Sequence, residues 1–206
     1  MTDFGMFILS YLIGSIPFSY LVPQYFAKQD VTQTGSKNIG ARNAWEVTGK
    51  PWIGILALIL DMSKGMLVAG IAYLINHSYE YSLFNGSMAI LGHNYSIFIN
   101  FKGGRGLATT AGVMLILAPL AIFVWLAIYY ISNIYSRNIY VRSLIAIAGT
   151  FLSIIINTNI FALPVYFGYM YYNGYYDKLI IYLGILLASK QIPEIIKQKV
   201  KNNSEN

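Results

Sequence analysis

The sequence predicts an all-α polytopic membrane protein of about seven transmembrane helices, with its N-terminus outside and its C-terminus in the cytoplasm. Three observations predict it. Apolar residues make up 56% of the chain and charged residues only 11%, with a mean hydropathy of +0.54, whereas an ordinary globular chain is about 25% charged. Apolar runs recur at lengths near the roughly 20 residues that cross a hydrocarbon core of about 30 Å. Lysine and arginine gather on alternate connections between those runs, the bias expected of cytoplasmic loops.

The 206 residues suit one integral membrane domain over 1–199, followed by a polar tail at 200–206. MTDFGMFILSYLIGSIPFSYLV carries Asp3 in place of a basic leader region and has no small-residue cleavage site, so it reads as a first span at 4–24 and not as a signal peptide. Further spans are expected at 51–75, 82–100, 106–118, 119–136, 142–168 and 178–192, with a break in the sixth near Asn157-Thr158-Asn159. Ala118-Pro119 separates the fourth from the fifth. Merging them would strand Arg137 and Arg142 on the side opposite the other cations. Those cations are Lys28, Lys37, Arg42 and Lys50 in the first connection, Lys102 and Arg105 in the third, and Lys190, Lys197, Lys199 and Lys201 near the C-terminus. The other side holds Lys178, with His77, Glu80 and Asp177. The net charge of +6 is therefore a topological signal; the expected partner is a lipid bilayer, the cytoplasmic (inner) membrane, and not nucleic acid. The tyrosine clusters at 129–140 and 169–178 fall at span ends and read as interfacial anchors.

With no cysteine and two histidines, the chain excludes disulfides and thiol catalysis, and no metal or other cofactor is expected. Its polar residues instead form two loops on the cytoplasmic side. FKGGRGLAT (101–109) sets Lys102 and Arg105 among Gly103, Gly104 and Gly106, a combination that lets backbone amides and positive charge meet an anion; taken alone, a tight turn with inside-positive cations is the nearer reading. DVTQTGSKNIGARNAWEVTGKP (30–51) concentrates Gly35, Ser36, Asn38, Gly40, Arg42 and Asn43, suited to a loop folded on itself around a polar ligand. Within the second span, LDMSKG places Asp61 and Lys64 three residues apart on one helix face, either as an ion pair that orients helices or as part of a substrate site. His93 opens GHNYSIF as a hydrogen-bonding group or a general base.

Together, YLIGSIPFSYL (11–21), TGSKNIGARN (34–43), LDMSKG (60–65) and GHNYSIFINFKGGRGLAT (92–109) resemble the bacterial membrane-integral acyl-phosphate:glycerol-3-phosphate acyltransferases. The resemblance covers the first half of the chain in order and spacing. It implies a seven-helix enzyme, open to the cytoplasm, that moves a fatty acyl group from acyl phosphate to glycerol 3-phosphate and releases lysophosphatidic acid and phosphate at the start of phospholipid synthesis. On that resemblance Ser36, His93 and Arg105 are the expected catalytic residues. Gly35, Asn38, Gly40, Arg42, Asn43, Lys64, Lys102, Gly103, Gly104, Gly106 and Glu194 are the expected substrate-binding residues. Arg105 stands where the family typically has lysine, and a guanidinium clamps phosphate bidentately.

The chain departs from the family pattern at two places. Arg42 and Glu46 occupy positions where threonine and arginine are common, so Arg42 is placed one turn earlier to supply the missing guanidinium, with Glu46 as its partner. The H-x-x-N-I-x-R motif of the family's last helix becomes QIPEIIK, with Glu194 at the asparagine position and Lys197 at the basic one, while the distal glutamate position falls near Asn203. A catalytically altered relative that binds or transports a phosphorylated lipid or metabolite is the alternative reading.

Overall fold

The computed structural model describes residues 3–156, 184, 187, 189–197 and 200. The second tyrosine cluster, Lys178, the expected break near Asn157, most of the span at 178–192 and most of the tail lie outside the described residues. Among the described residues the regular structure is entirely helical: α1 (Asp3–Ser15), α2 (Phe18–Ala27), α3 (Ala41–Thr48), α4 (Pro51–Asn76), α5 (Tyr79–Asn94), α6 (Leu107–Leu117), α7 (Pro119–Ile131) and α8 (Ile139–Ile156). Residues 189–197 are also helical. The chain forms two compact units, Met1–Leu117 and Ala118–Asn206.

In the first unit α4 is the central helix, packed against α2, α3, α5 and α6, while α1 packs mainly on α5. The expected first span is present as α1 and α2, continuous in hydropathy over Asp3–Ala27 but broken at Ile16-Pro17 because proline brings no N–H to the helical ladder. Its partner in length is α4, 26 residues that are predominantly apolar apart from Asp61, Ser63 and Lys64 near the middle. Large side chains such as Phe4, Ile8, Ile55, Ile59, Leu67 and Leu74 face outward on these helices, as a lipid-facing surface requires. Between helices the contacts are made by small and polar residues. Gly65 and Gly112 bring α4 and α6 together so closely that a Cβ on either would strike the backbone of the other helix, at Thr109 and Met62 respectively. Ser10 Oγ of α1 donates to Asn85 Oδ1 of α5 at 2.7 Å, and Ser82 Oγ of α5 donates to the Ala69 carbonyl of α4 at 2.7 Å. Hydrogen bonds of this kind join helices where lipid gives no hydrophobic drive for association.

The third expected span ends earlier than hydropathy indicates. α5 stops at Asn94, where Tyr95 leaves the helical region (φ −133°, ψ 64°) and caps Leu91 through its N–H. Ser96 is then held by a hydrogen bond from its hydroxyl to the Ser15 carbonyl at 2.5 Å. Ile97–Ile99 forms a 3-10 turn, and Asn100 and Phe101 take left-handed conformations (φ 52° and 59°) that reverse the chain. Apolarity at 97–99 reflects surface exposure on this turn, so composition alone could not reveal it.

In the second unit α7 starts directly after Ala118, whose non-helical backbone (φ −157°, ψ 69°) makes α6 and α7 separate helices as expected. Arg142 of α8 donates through Nε and Nη2 to the Tyr129 carbonyl at 3.3 and 3.1 Å, and its guanidinium lies 4.2 Å from the Tyr129 ring centre. Within the first tyrosine cluster Tyr130 and Tyr135 are exposed, as interfacial anchors would be, whereas Tyr140 is buried.

Candidate active site

The loop between α2 and α3 is folded around one side chain. Asn43 is buried, and its Nδ2 donates to the carbonyls of Val31 (2.9 Å), Asn38 (3.0 Å) and Thr34 (3.3 Å), while its Oδ1 accepts from the Ser36 N–H at 2.9 Å. This carboxamide is fully used inside the loop, so Asn43 shapes the site and does not reach a ligand from it. Gly35 turns the chain at φ +61° with no room for a side chain beside Asn43. The loop as folded leaves Ser36 exposed and Asn38 half-buried, and Gly40 opens α3. On the first and second turns of that helix Arg42 and Glu46 form the expected pair, Nε to Oε1 at 2.7 Å, with both side chains about half exposed.

The glycine-rich segment lies directly against this loop. Gly104 donates its N–H to the His93 carbonyl at 3.1 Å, and a Cβ at position 104 would collide with the Ile39 carbonyl and come within 2.5 Å of His93 Nε2. Gly103 is pressed in the same way on the His93 carbonyl, and Gly106, at φ +79°, leaves only 2.5 Å between a Cβ and Asn94 Oδ1. Both polar loops and His93 therefore meet at Gly104, with Asn38 and Arg105 flanking the point of contact. The chain then enters α6, whose first amides follow GGRG in the arrangement that favours an anion at a helix N-terminus. Lys102 is exposed and Arg105 half-buried beside it.

Beneath this surface Asp61 and Lys64 form a buried pair, Oδ1 to Nζ at 2.8 Å. Lys64 Nζ also donates to the Ile16 carbonyl at the α1/α2 break (2.7 Å), and Asp61 Oδ2 accepts from Ser19 Oγ at 2.5 Å. The ammonium of Lys64, an expected substrate contact, is instead engaged within the helix bundle by Asp61 and the Ile16 carbonyl. His93 Nδ1 lies 3.4 Å from Asp61 Oδ1, which joins the pair to the loop contact above it. Ser19 lies within SIPFSY, and a serine three residues after Ile16 carries no signal in the sequence of a partner 42 residues away.

Glu194 belongs to the second unit. There its carboxylate accepts from Lys197 Nζ at 2.8 Å, an exposed pair in which the carboxylate holds the ammonium above its ordinary pKa range. In the same helical segment Gln191 is buried and donates from Nε2 to Ser143 Oγ at 3.3 Å.

Comparison with known proteins points to one family. The family model described as glycerol-3-phosphate acyltransferase matches residues 4–197. A glycerol-3-phosphate acyltransferase 2 of Bacillus anthracis is 32% identical over 202 residues, covering 97% of this chain and 95% of that protein. The glycerol-3-phosphate acyltransferase of Enterococcus faecalis is 35% identical over 159 residues, 77% of this chain and 70% of that protein. Among solved structures, the crystal structure of PlsY, an integral membrane glycerol 3-phosphate acyltransferase, in its glycerol 3-phosphate form superposes with a TM-score of 0.78 at 26% identity, covering 98% of this chain and 94% of that one. Its lysophosphatidic acid form gives 0.77. An all-helical architecture, two glycine-rich polar loops in backbone contact and a family match over nearly the whole length lead to one conclusion: the chain belongs to the glycerol-3-phosphate acyltransferase family.

Proposed function

We propose that this protein transfers a fatty acyl group from acyl phosphate to the hydroxyl of glycerol 3-phosphate, yielding lysophosphatidic acid and inorganic phosphate. It does so as a protein of the cytoplasmic membrane with about seven spans and a site open to the cytoplasm. The observation that carries this reading is the meeting of the two polar loops at Ile39, Gly104 and His93. Two phosphate-bearing substrates need two anion-binding surfaces side by side, and two polar loops that share a boundary support that reading.

The acceptor hydroxyl oxygen bonds to the acyl carbon, the bond from that carbon to the phosphate oxygen breaks, and the hydroxyl proton passes to a phosphate oxygen or to solvent. Phosphate is a good leaving group, so a mixed anhydride needs little further activation. What remains for the protein is to place the two substrates and to stabilise negative charge. Lys102 and Arg105, with the amides that lead into α6, hold one phosphate; Ser36 and Asn38 contact the reacting carbonyl or the second phosphate. Gly35, Gly40, Gly103, Gly104 and Gly106 let the two loops close on Asn43, Asn38, His93, Ile39 and Asn94, so that they shape the site by packing against the protein itself, and Asn43 holds the first loop in shape. Arg42 supports the acceptor phosphate from α3, its charge moderated by Glu46. Glu194, whose carboxylate is paired with Lys197, is the acceptor contact that the family resemblance implies. The deciding experiment supplies acyl phosphate and glycerol 3-phosphate to the purified protein and follows lysophosphatidic acid and phosphate. Product formation that Ser36→Ala and Arg105→Ala leave unchanged would overturn the assignment of these residues, and phosphorylated-ligand binding without product would favour a carrier.

A further inference from the structure

The buried Asp61 has no route to a substrate phosphate of its own, yet it sits at the centre of a chain of contacts that ends at the loops. From α4 its carboxylate reaches Lys64 on the same helix (2.8 Å), Ser19 on α2 (2.5 Å) and His93 Nδ1 on α5 (3.4 Å). Lys64 in turn is fixed by the Ile16 carbonyl (2.7 Å), which the helix break leaves without an N–H of the ordinary ladder. Asp61 is thereby tied to three helices, and the one contact it makes toward the loops is the imidazole.

We propose that Asp61 is a positioning residue that acts through His93: it holds the imidazole with a proton on Nδ1, so that Nε2 is presented to Gly104 where the two polar loops meet. Two features of the geometry carry this. His93 faces Asp61 with one ring nitrogen and Gly104 with the other, since a Cβ at Gly104 would lie 2.5 Å from Nε2. The His93 carbonyl also accepts the Gly104 N–H at 3.1 Å, so ring and backbone of one residue grip the same turn. A carboxylate beside one imidazole nitrogen favours the proton there and sets the ring's orientation, so that the opposite nitrogen faces Gly104. Lys64 cancels the buried charge of Asp61, and Ser19 occupies the oxygen that Lys64 and His93 do not share.

The chain contains only two histidines, His77 and His93, so 15N-histidine labelling of the full-length protein in lipid nanodiscs gives a spectrum that a His93→Gln variant assigns at once. In the unaltered protein the His93 Nδ1 resonance should be that of a protonated nitrogen. In Asp61→Asn/Lys64→Met, which removes the carboxylate without leaving a buried ammonium unpaired, that signature should change while His77 is unmoved. An unprotonated Nδ1 in the unaltered protein, or a His93 signature indifferent to the double substitution, overturns the proposal. A kinetic cycle supplies the second arm and rests on the acyl transfer proposed above. The Asp61→Asn/Lys64→Met pair should lower kcat/KM at least tenfold in the unaltered background but less than threefold when His93 is already glutamine. Additive losses refute action through His93, whereas an unaltered protein that forms no product refutes the acyl transfer and leaves the spectroscopic arm to decide.

Discussion

Gly104→Ala probes the meeting point of the loops with the smallest available change. A methyl group there would come 2.5 Å from His93 Nε2, where ordinary contact begins at 3.4 Å, and would also strike the Ile39 carbonyl. The two obstacles are backbone of one loop and a ring anchored on Asp61, so neither can swing away as a flexible side chain would. The loops must therefore separate by about 1 Å, and a misplacement of about 1 Å at a reacting centre costs on the order of 100-fold in rate. Overpacking of this kind also destabilises by about 1–3 kcal/mol. Gly70→Ala on α4 is the matched control, because a methyl there meets only Ile116 Cδ1 at 3.9 Å and should stabilise the helix by about 0.5–1 kcal/mol. The assay is initial-rate formation of lysophosphatidic acid from acyl phosphate and glycerol 3-phosphate, with thermal unfolding in detergent measured alongside. Gly104→Ala with activity within twofold of the unaltered protein would refute the placement of Gly104 at a tight junction of the site.

Three further outcomes follow from other parts of the structure. Asn43→Ala removes four hydrogen bonds to the first loop and should cost about 1–3 kcal/mol, because buried backbone groups lose their partner; limited proteolysis should then cut within 30–40 well before the rest of the chain. Lys64→Met leaves Asp61 charged and buried without its ammonium, so it should lower stability by about 3–5 kcal/mol, and Asp61→Asn/Lys64→Met should recover most of that loss in a thermal melt. Glu46→Ala breaks an exposed pair, so stability should change by no more than about 1 kcal/mol, while KM for glycerol 3-phosphate falls as Arg42 is released; an unchanged KM would remove Arg42 from the acceptor site.

How far the sequence disclosed these features depended on how local their cause is. Apolar length announced α4, and Ala118-Pro119 announced the separation of α6 from α7, because each follows from the residues at that position. The Arg42–Glu46 and Asp61–Lys64 pairs were visible for the same reason, as charges one helical turn apart. The early end of α5 was not visible, since it depends on Ser96 finding a carbonyl 81 residues away. Asn43 looked like a ligand contact because a loop carboxamide can serve either purpose; only the folded loop shows that its donors and acceptor are already taken. Likewise the glycines of FKGGRG signalled close approach, but what approaches Gly104 is first of all the protein's own Ile39 and His93.

The placement of Asp61 and Lys64 on a single helix bears on how the protein is made. A lone aspartate or lysine at the centre of a span costs about 2.5–3.5 kcal/mol on insertion, yet the two residues are three apart on α4 and meet at 2.8 Å. The segment can therefore leave the translocon already neutral, before α5 has been synthesised. Ser19, on α2, is synthesised before it, while His93, on α5, is the last of the groups around Asp61 to be made. Chain order thus places the neutral Asp61–Lys64 pair and Ser19 ahead of the imidazole that packs on them.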